Sequence, residues 1–551
     1  MTRFFRFGAF WVVATLALAG PKQKLAPDLP PANAGSTVNV IVQFKNPPQQ
    51  QQHDKVAQKG GTLQADLGIA NSAVYSVPAN HLTSLATDPD VVYISPDRPV
   101  QKMMDVTAPS VNAEIAWQYG WNGKGIGVAI IDSGIADSPD LRDPATGKTR
   151  VVYSQAFGLT GTVDIYGHGS HVAGIVGGNG SSSSGKYTGI APAVDFVNLR
   201  VLDSSGNGLE SSVISAIETA IQLKDTYNIR VINLSLGRNV YESYTQDPLC
   251  QAVEAAWNAG IVVVAAAGNN GRDNSAGTSG YGTIMAPGND PYVITVGAMK
   301  TMGTSNRSDD LIASYSSKGP TLIDHIVKPD LVAPGNKVVS NIGKGGHTLS
   351  HKYPQNIVTG SYFRLSGTSM ATPVVSGAAA LLLQQTPSLT PDEVKARLMK
   401  TAAKSFPVSS IAVDPVTGIS YTSQYDIFTI GAGYVDVWAA LSNSDLLPAG
   451  KTAISPTATY NSANGSVYLV GATSAVWGDS AVWGDSAVWG DSVWVDGSSA
   501  VWGDSAVWGD SAVWGDTTAS GFSAVWGDSA VWGDSSTATT ESTPVTINGE
   551  N

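Results

Sequence analysis

The heptapeptide GTSMATP, residues 367 to 373, sets Ser369 at the mouth of the apolar run MATPVVSGAAALLLQQ. A serine in that place is either a helix cap or a nucleophile. Proline is tolerated only near a helix start, so Pro373 puts that start close to Ser369 and the hydroxyl at the positive end of the helix. Two further segments carry reactive side chains at similar junctions. IIDSG ends an apolar run with Asp132, and YGHGSHVAGIVG opens a Gly-rich helical pattern with His168 and His171. A serine hydroxyl is a weak nucleophile and needs a base within hydrogen-bond reach. Imidazole suits that task near neutral pH, and an acidic partner must hold the ring and stabilise imidazolium. Of seven histidines, His53 and His81 lie in the N-terminal part, which leaves His168, His171, His325, His347 and His351. Only the first two sit in a Gly-rich element that lets backbone pack close.

These side chains need a frame. GVAIIDSGI (127–135), VDFVNLRVL (194–202), VINLSLG (231–237) and IVVVAAAGNNG (261–271) read as buried strands. SSVISAIETAIQL (211–223) and CQAVEAAWNAG (250–260) read as the helices between them. Continuous apolar strands alternating with helices point to an α/β fold, a doubly wound parallel sheet covered on both faces. Ligands then bind at the carboxyl ends of strands, where Asp132 and the Gly/Asn loop fall.

Taken together, IIDSG, GHGSHVAG and SGTSMATP, in that order, resemble the three signature blocks of the subtilisin-like serine proteases, the subtilases of peptidase family S8. The likeness covers about residues 105–442. It implies a serine endopeptidase working through an acyl-enzyme intermediate. Asp132 then orients the base, His168 is the base, Ser369 is the nucleophile and His171 is structural. Where the family usually has Thr between its two histidines, this chain has Ser170, which keeps a hydroxyl. AAAGNNG resembles the oxyanion block, so Asn269, otherwise a turn residue, becomes one donor and the Ser369 backbone N–H the other. Ser235, Leu236 and Gly237, with the 265–268 segment that holds Ala266 and Gly268, resemble the walls of the pocket for the residue before the scissile bond. Gly206, Asn207 and Gly208 lie in SGNG, which resembles the edge strand that pairs with extended peptide. These segments hold no Asp or Glu, which points to large apolar or aromatic residues in that pocket. The chemistry implied requires no cofactor. A structural calcium is implied at Asp140 in SPDL, but the expected partner loop, NGSSSSGKY, lacks carboxylates, so Asp140 is equally a solvated side chain. The insertion 336–365 before the serine block is longer than in compact members and is placed to rim the cleft.

The rest of the chain divides by composition. Residues 1–20 carry Arg3 and Arg6, an apolar core and a small-residue ALA site, the pattern of a secretory signal, with an uncleaved anchor as the alternative. A Pro-rich linker spans 21–36. Residues 37–102 form a small α+β module that resembles the subtilase propeptide, an intramolecular chaperone and inhibitor, with RPVQKMMD (98–105) as the self-cleavage region. The sole cysteine, Cys250, excludes an intramolecular disulfide and reads as a small buried hydrophobe.

After a second linker, 443–473, the segment 474–551 repeats SAVWGD and holds nine of the fourteen tryptophans. Beyond Lys451 there are nine Asp, two Glu and no Lys or Arg, so most of the net charge of −12 sits there, which argues against nucleic acid as a partner. The repeats fit a stacked β-solenoid, a flexible stalk, or an aromatic surface for polysaccharide or cell envelope. The expectation is therefore a secreted, self-processing zymogen acting on polypeptides and inhibited by its own propeptide. An adhesin with a relic protease domain would show a degraded triad, and a serine hydrolase for esters would differ in its turnover of matched peptide and ester substrates.

Overall fold

The computed structural model describes residues 24–26, 29, 37–67, 71–97, 106–343, 345–414, 416–448, 450–461, 466–470 and 547–550. The expected signal 1–20, the cleavage region 98–105 and the SAVWGD repeats lie outside the described residues. The chain divides into two compact units between Lys102 and Met103.

The first unit is a four-stranded antiparallel sheet with two helices. Its strands are β1 (Thr37–Phe44), β2 (Thr62–Leu67), β3 (Ser72–Pro78) and β4 (Val91–Pro96), in the order β2-β3-β1-β4. Strict alternation along TVNVIVQF buries Val38, Val40, Val42 and Phe44 on one face. Helix α1 (Gln50–Ala57) forms from the Gln run and buries Val56, and α2 (Leu82–Ala86) buries Leu82 and Leu85.

The second unit begins with two short helices, α3 (Thr107–Ser110) and α4 (Ala113–Gln118), and is built on an eight-stranded sheet. Its strands are β5 (Gly127–Asp132), β6 (Val151–Ala156), β7 (Asp195–Arg200), β8 (Ile229–Leu234), β9 (Val262–Ala266), β10 (Ile294–Lys300), β11 (Leu311–Ile312) and β12 (Leu331–Pro334). They run in the order β11-β10-β9-β8-β5-β7-β6, with β12 also on β10, and all are parallel except β11. Every residue of β5 and β9 is buried, because helices cover both faces. Helices α5 (His168–Gly177) and α9 (Thr368–Gln385) pack together on one face, and α6 (Glu210–Gln222) and α7 (Pro248–Asn258) on the other.

From β5 the chain crosses to the sheet edge at β6, comes back to β7 beside β5, and then passes to the other side of β5 with β8, β9 and β10. The carboxyl end of β5 is therefore a topological switch point, and Asp132 is its last residue. The insertion 336–365 folds as a three-stranded sheet, β13 (Val338–Asn341), β15 (Tyr362–Leu365) and β14 (Ile357–Thr359), with helix α8 (Thr348–Lys352). The stretch read as a linker, 443–473, is partly packed structure. Thr457–Asn461 and Ser466–Val470 pair as strands, and Ser455 is buried against Asp330 and Lys395. Among the described residues no helix is long and apolar enough to cross a membrane.

Candidate active site

Asp132 is fully buried, and both its carboxylate oxygens face His168 Nδ1, at 2.8 and 3.0 Å. The Ser133 N–H also donates to Asp132, at 2.7 Å. His168 opens α5, and the approach of that helix to the end of β5 explains its glycine. A Cβ on Gly169 would lie 2.3 Å from the Gly134 carbonyl and 3.2 Å from Asp132 Cβ. A side chain there would push the Gly134 backbone, and with it the end of β5, away from the start of α5.

A second carboxylate, which sequence reasoning missed, fixes this junction. Asp164 is buried and accepts from the N–H groups of Gly167 and Ser170, at 2.7 and 2.8 Å, and from the Ser133 hydroxyl at 2.9 Å. It occupies the positive end of α5 and binds orphan helix donors. Its signal was an acid four residues ahead of a helix that starts with His. The Ser170 hydroxyl, which stands where threonine is usual, accepts from the Ala136 N–H at 2.9 Å.

Burial favours the neutral form of His168, but the charge and hydrogen bond of Asp132, with Asp164 behind it, outweigh that and raise its pKa above 6.5. His171 is the opposite case. It is fully buried, and its Nε2 lies 3.0 Å from the Phe363 carbonyl. Desolvation, with His168 nearby, pushes its pKa down to about 3.

Ser369 is the second residue of α9 and caps nothing: the N-cap is Gly367, with no side-chain cap. The Ser369 hydroxyl donates to the Ser235 carbonyl at 3.0 Å. Pro373 has no N–H, so the Ser369 carbonyl lacks its helical partner, and the Ser235 hydroxyl supplies the missing donor at 2.8 Å. Asn269 Oδ1 accepts from the Thr368 N–H at 2.9 Å and from the Thr368 hydroxyl at 3.2 Å. With its oxygen fixed at the start of α9, the Asn269 amide presents its NH2 end as the donor.

One cleft of about 490 Å³ is lined by His168, Ser369 and Asn269, together with Gly206, Asn207, Gly208, Ser235, Leu236 and Gly237. Ala266 and Gly268, expected in its wall, do not line it. The Gly268 N–H is tied to Thr368 Oγ1, and its carbonyl accepts from the Ser317 N–H. The edge strand expected over 205–208 is instead a tight turn closed by a single bridge, Leu202 to Gly208. Its cause is Asp203, whose carboxylate takes the N–H groups of Ser205 and Asn207. Glu210 also lines the cleft, a carboxylate not anticipated there, but Arg238 grips it at 2.9 Å through both Nε and Nη2. Arg238 is shared with Asp247 at 2.8 Å and Glu242 at 3.6 Å, so three carboxylates face one guanidinium at this end of the cleft.

Asp140 is buried, not a solvated side chain. Its oxygens accept from the Ser182 N–H at 2.7 Å and from the Tyr362 hydroxyl, donors that a cation would repel. Among the described residues no group of three His, Cys, Asp or Glu side chains that could hold a metal is found. Cys250 is buried, with its thiol raised far above the ordinary value by desolvation.

The subtilase family model matches residues 123–426. The chain is 40% identical over 312 residues to serine protease AprX of Bacillus subtilis, covering 55% of this chain and 67% of that protein. It is 34% identical over 358 residues to subtilisin E of Bacillus subtilis, covering 63% and 80%. With subtilisin DY of Bacillus licheniformis it shares 36% identity over 333 residues, covering 60% and 96%.

Proposed function

The chain belongs to the subtilase family, a family of serine endopeptidases, and from that premise we propose that Asp132, His168 and Ser369 are its catalytic triad. The observation that carries this reading is the buried Asp132 carboxylate on His168 Nδ1, in a cleft that His168 shares with Ser369 and Asn269.

Rotation of the Ser369 side chain moves its hydroxyl from the Ser235 carbonyl toward His168. His168 Nε2 takes the hydroxyl proton as Oγ attacks the scissile carbonyl. Asp132 holds the ring with Nε2 toward the nucleophile and stabilises the imidazolium. The oxyanion is met by the Asn269 NH2 group and the Ser369 N–H. Imidazolium then protonates the departing amine, and water repeats the cycle on the acyl-enzyme.

In this reading residues 37–102, whose described part is the four-stranded unit, are the propeptide, the inhibitor released by self-cleavage within 98–105, and residues 1–20 direct secretion. The unit's antiparallel sheet with two helices supports an independently folded module. The decisive experiment is incubation of the purified protein with a fluorogenic peptide carrying an apolar residue before the scissile bond, with and without a serine-directed phosphonylating reagent. Loss of activity with label mapped to Ser369 is expected. Label elsewhere, or turnover that survives labelling, overturns the assignment.

A further inference from the structure

Residues 547–550, Ile-Asn-Gly-Glu, lie far in sequence from the catalytic blocks, yet they are seated in a built receptor on the same unit. Glu550 is almost fully buried. Its carboxylate meets Arg272 Nη2 at 2.8 Å, Lys300 Nζ at 3.2 Å, and the N–H of Ser314 at 3.1 and 3.2 Å, and it also accepts from the Ser314 hydroxyl. The Asn336 side chain grips the same residue's backbone at two points: Oδ1 accepts from the Glu550 N–H at 2.8 Å, and Nδ2 donates to its carbonyl at 3.0 Å. Asn356 Nδ2 donates to the Ile547 carbonyl at 2.7 Å. Gly549 has φ +77°, and a Cβ there would lie 2.6 Å from Ser366 Oγ and from Lys337 Cγ. Charge, backbone grip and close approach each select a feature of this tetrapeptide.

The anchor has a consequence for the cleft. Ile547, 9% exposed, lines the catalytic cleft with Leu349, Leu365 and Ser366. That wall adjoins the histidine element: the Leu349 N–H donates to the Tyr166 carbonyl at 3.1 Å, and His171 is bonded to Phe363 of β15. His168 protonates the departing amine, so a wall beside it faces the residues after the scissile bond.

We propose that residues 547–550 are an intramolecular ligand of the catalytic unit, anchored by Glu550 on Arg272 and Lys300, which sets Ile547 as a wall of the subsite for the leaving-group side of a peptide substrate. This rests on the peptidase reading above. Ile547 makes that subsite select apolar side chains, by apolar contact.

The test uses the full chain and two substrates with the same acyl side. One is a short fluorogenic amide that ends at the scissile bond; the other is an internally quenched peptide with leucine or phenylalanine at the positions after it. Ile547→Ala is expected to lower kcat/KM for the quenched peptide about tenfold, and for the short amide, which has no residues after the scissile bond, several-fold less than that. Glu550→Gln, which weakens the anchor, is expected to do the same; should it fail to fold, Ile547→Ala, with the anchor intact, carries the test. Hydrogen exchange reads the seat without any activity: amides of residues 547–550 are expected to be protected in wild type and to exchange fast in Glu550→Gln. Equal effects on both substrates, or no effect on either, overturn the subsite, and fast exchange in wild type overturns the seat. A chain that cleaves neither substrate while the segment is protected overturns the peptidase reading and leaves the seat standing.

Discussion

Ser369 and Ser235 hold each other: the Ser369 hydroxyl donates to the Ser235 carbonyl at 3.0 Å, and the Ser235 hydroxyl donates to the Ser369 carbonyl at 2.8 Å. The second bond exists because Pro373 cannot make it. Ser235→Ala should therefore cost about 1–3 kcal/mol of stability, the penalty of an unsatisfied carbonyl. Pro373→Ala supplies an N–H for that carbonyl, so the Ser235→Ala cost should shrink in its background. Denaturant unfolding of the four proteins of the cycle checks this, in a Ser369→Ala background that prevents autolysis. Equal costs with and without Pro373 would detach Ser235 from the serine turn.

Asp164 gives a prediction in pH. A general base works only when neutral, so activity is lost as pH falls through its pKa. Asp132 and Asp164 raise the His168 pKa, so with His168 as the proposed base the acid limb of kcat/KM is expected above that of an ordinary histidine. Asp164→Asn removes the more remote charge and should move that limb to lower pH. It also turns an acceptor into a donor against the N–H groups of Gly167 and Ser170, so kcat should fall as the start of α5 loosens. Asp132→Asn should lower kcat by roughly 10⁴-fold, because it favours the wrong tautomer. A pH–rate profile for Asp164→Asn that overlays the wild type would show that Asp164 acts on neither charge nor position.

Asn269 and Ser369 separate binding from chemistry. Asn269→Ala should lower kcat by about 10²–10³ while KM barely moves, because the donor serves the oxyanion and not the ground-state carbonyl. Ser369→Ala should accumulate unprocessed precursor. Release of the 37–97 unit from purified Ser369→Ala protein would show that another group cuts the junction.

What was legible in the sequence was local. The blocks IIDSG, GHGSHVAG and SGTSMATP each encode a close backbone approach or helix start within a few residues, and the strands at 127–132, 195–200, 229–234 and 262–266 are continuous apolar runs because both sheet faces are covered. What escaped was long-range. Nothing near Asp164 says that its carboxylate reaches Ser133, and nothing near Glu550 says that Arg272 waits for it. The 205–208 segment was read as a strand from its likeness alone, although Asp203 two residues earlier is a turn signal of its own. Residues 443–473 were read as a linker between two better-marked segments, yet Ser455 completes a buried cluster of Lys328, Asp330 and Lys395.

His171 ties this buried architecture to acid stability. In the folded chain its pKa is pushed down to about 3, chiefly by desolvation, whereas an unfolded histidine titrates near 6.5. Between those values the unfolded chain binds a proton that the folded chain refuses. The unfolded state therefore carries more protons, and stability rises with pH across the window. The contribution is fully present above 6.5 and drains away as pH falls toward 3. His171→Gln keeps a side-chain donor within reach of the Phe363 carbonyl but cannot titrate. In a Ser369→Ala background, the decline of Tm between pH 6.5 and 3 should be shallower for His171→Gln than for its parent. Parallel curves would mean that the acid lability comes from other groups, with His171 serving only as packing between α5 and β15.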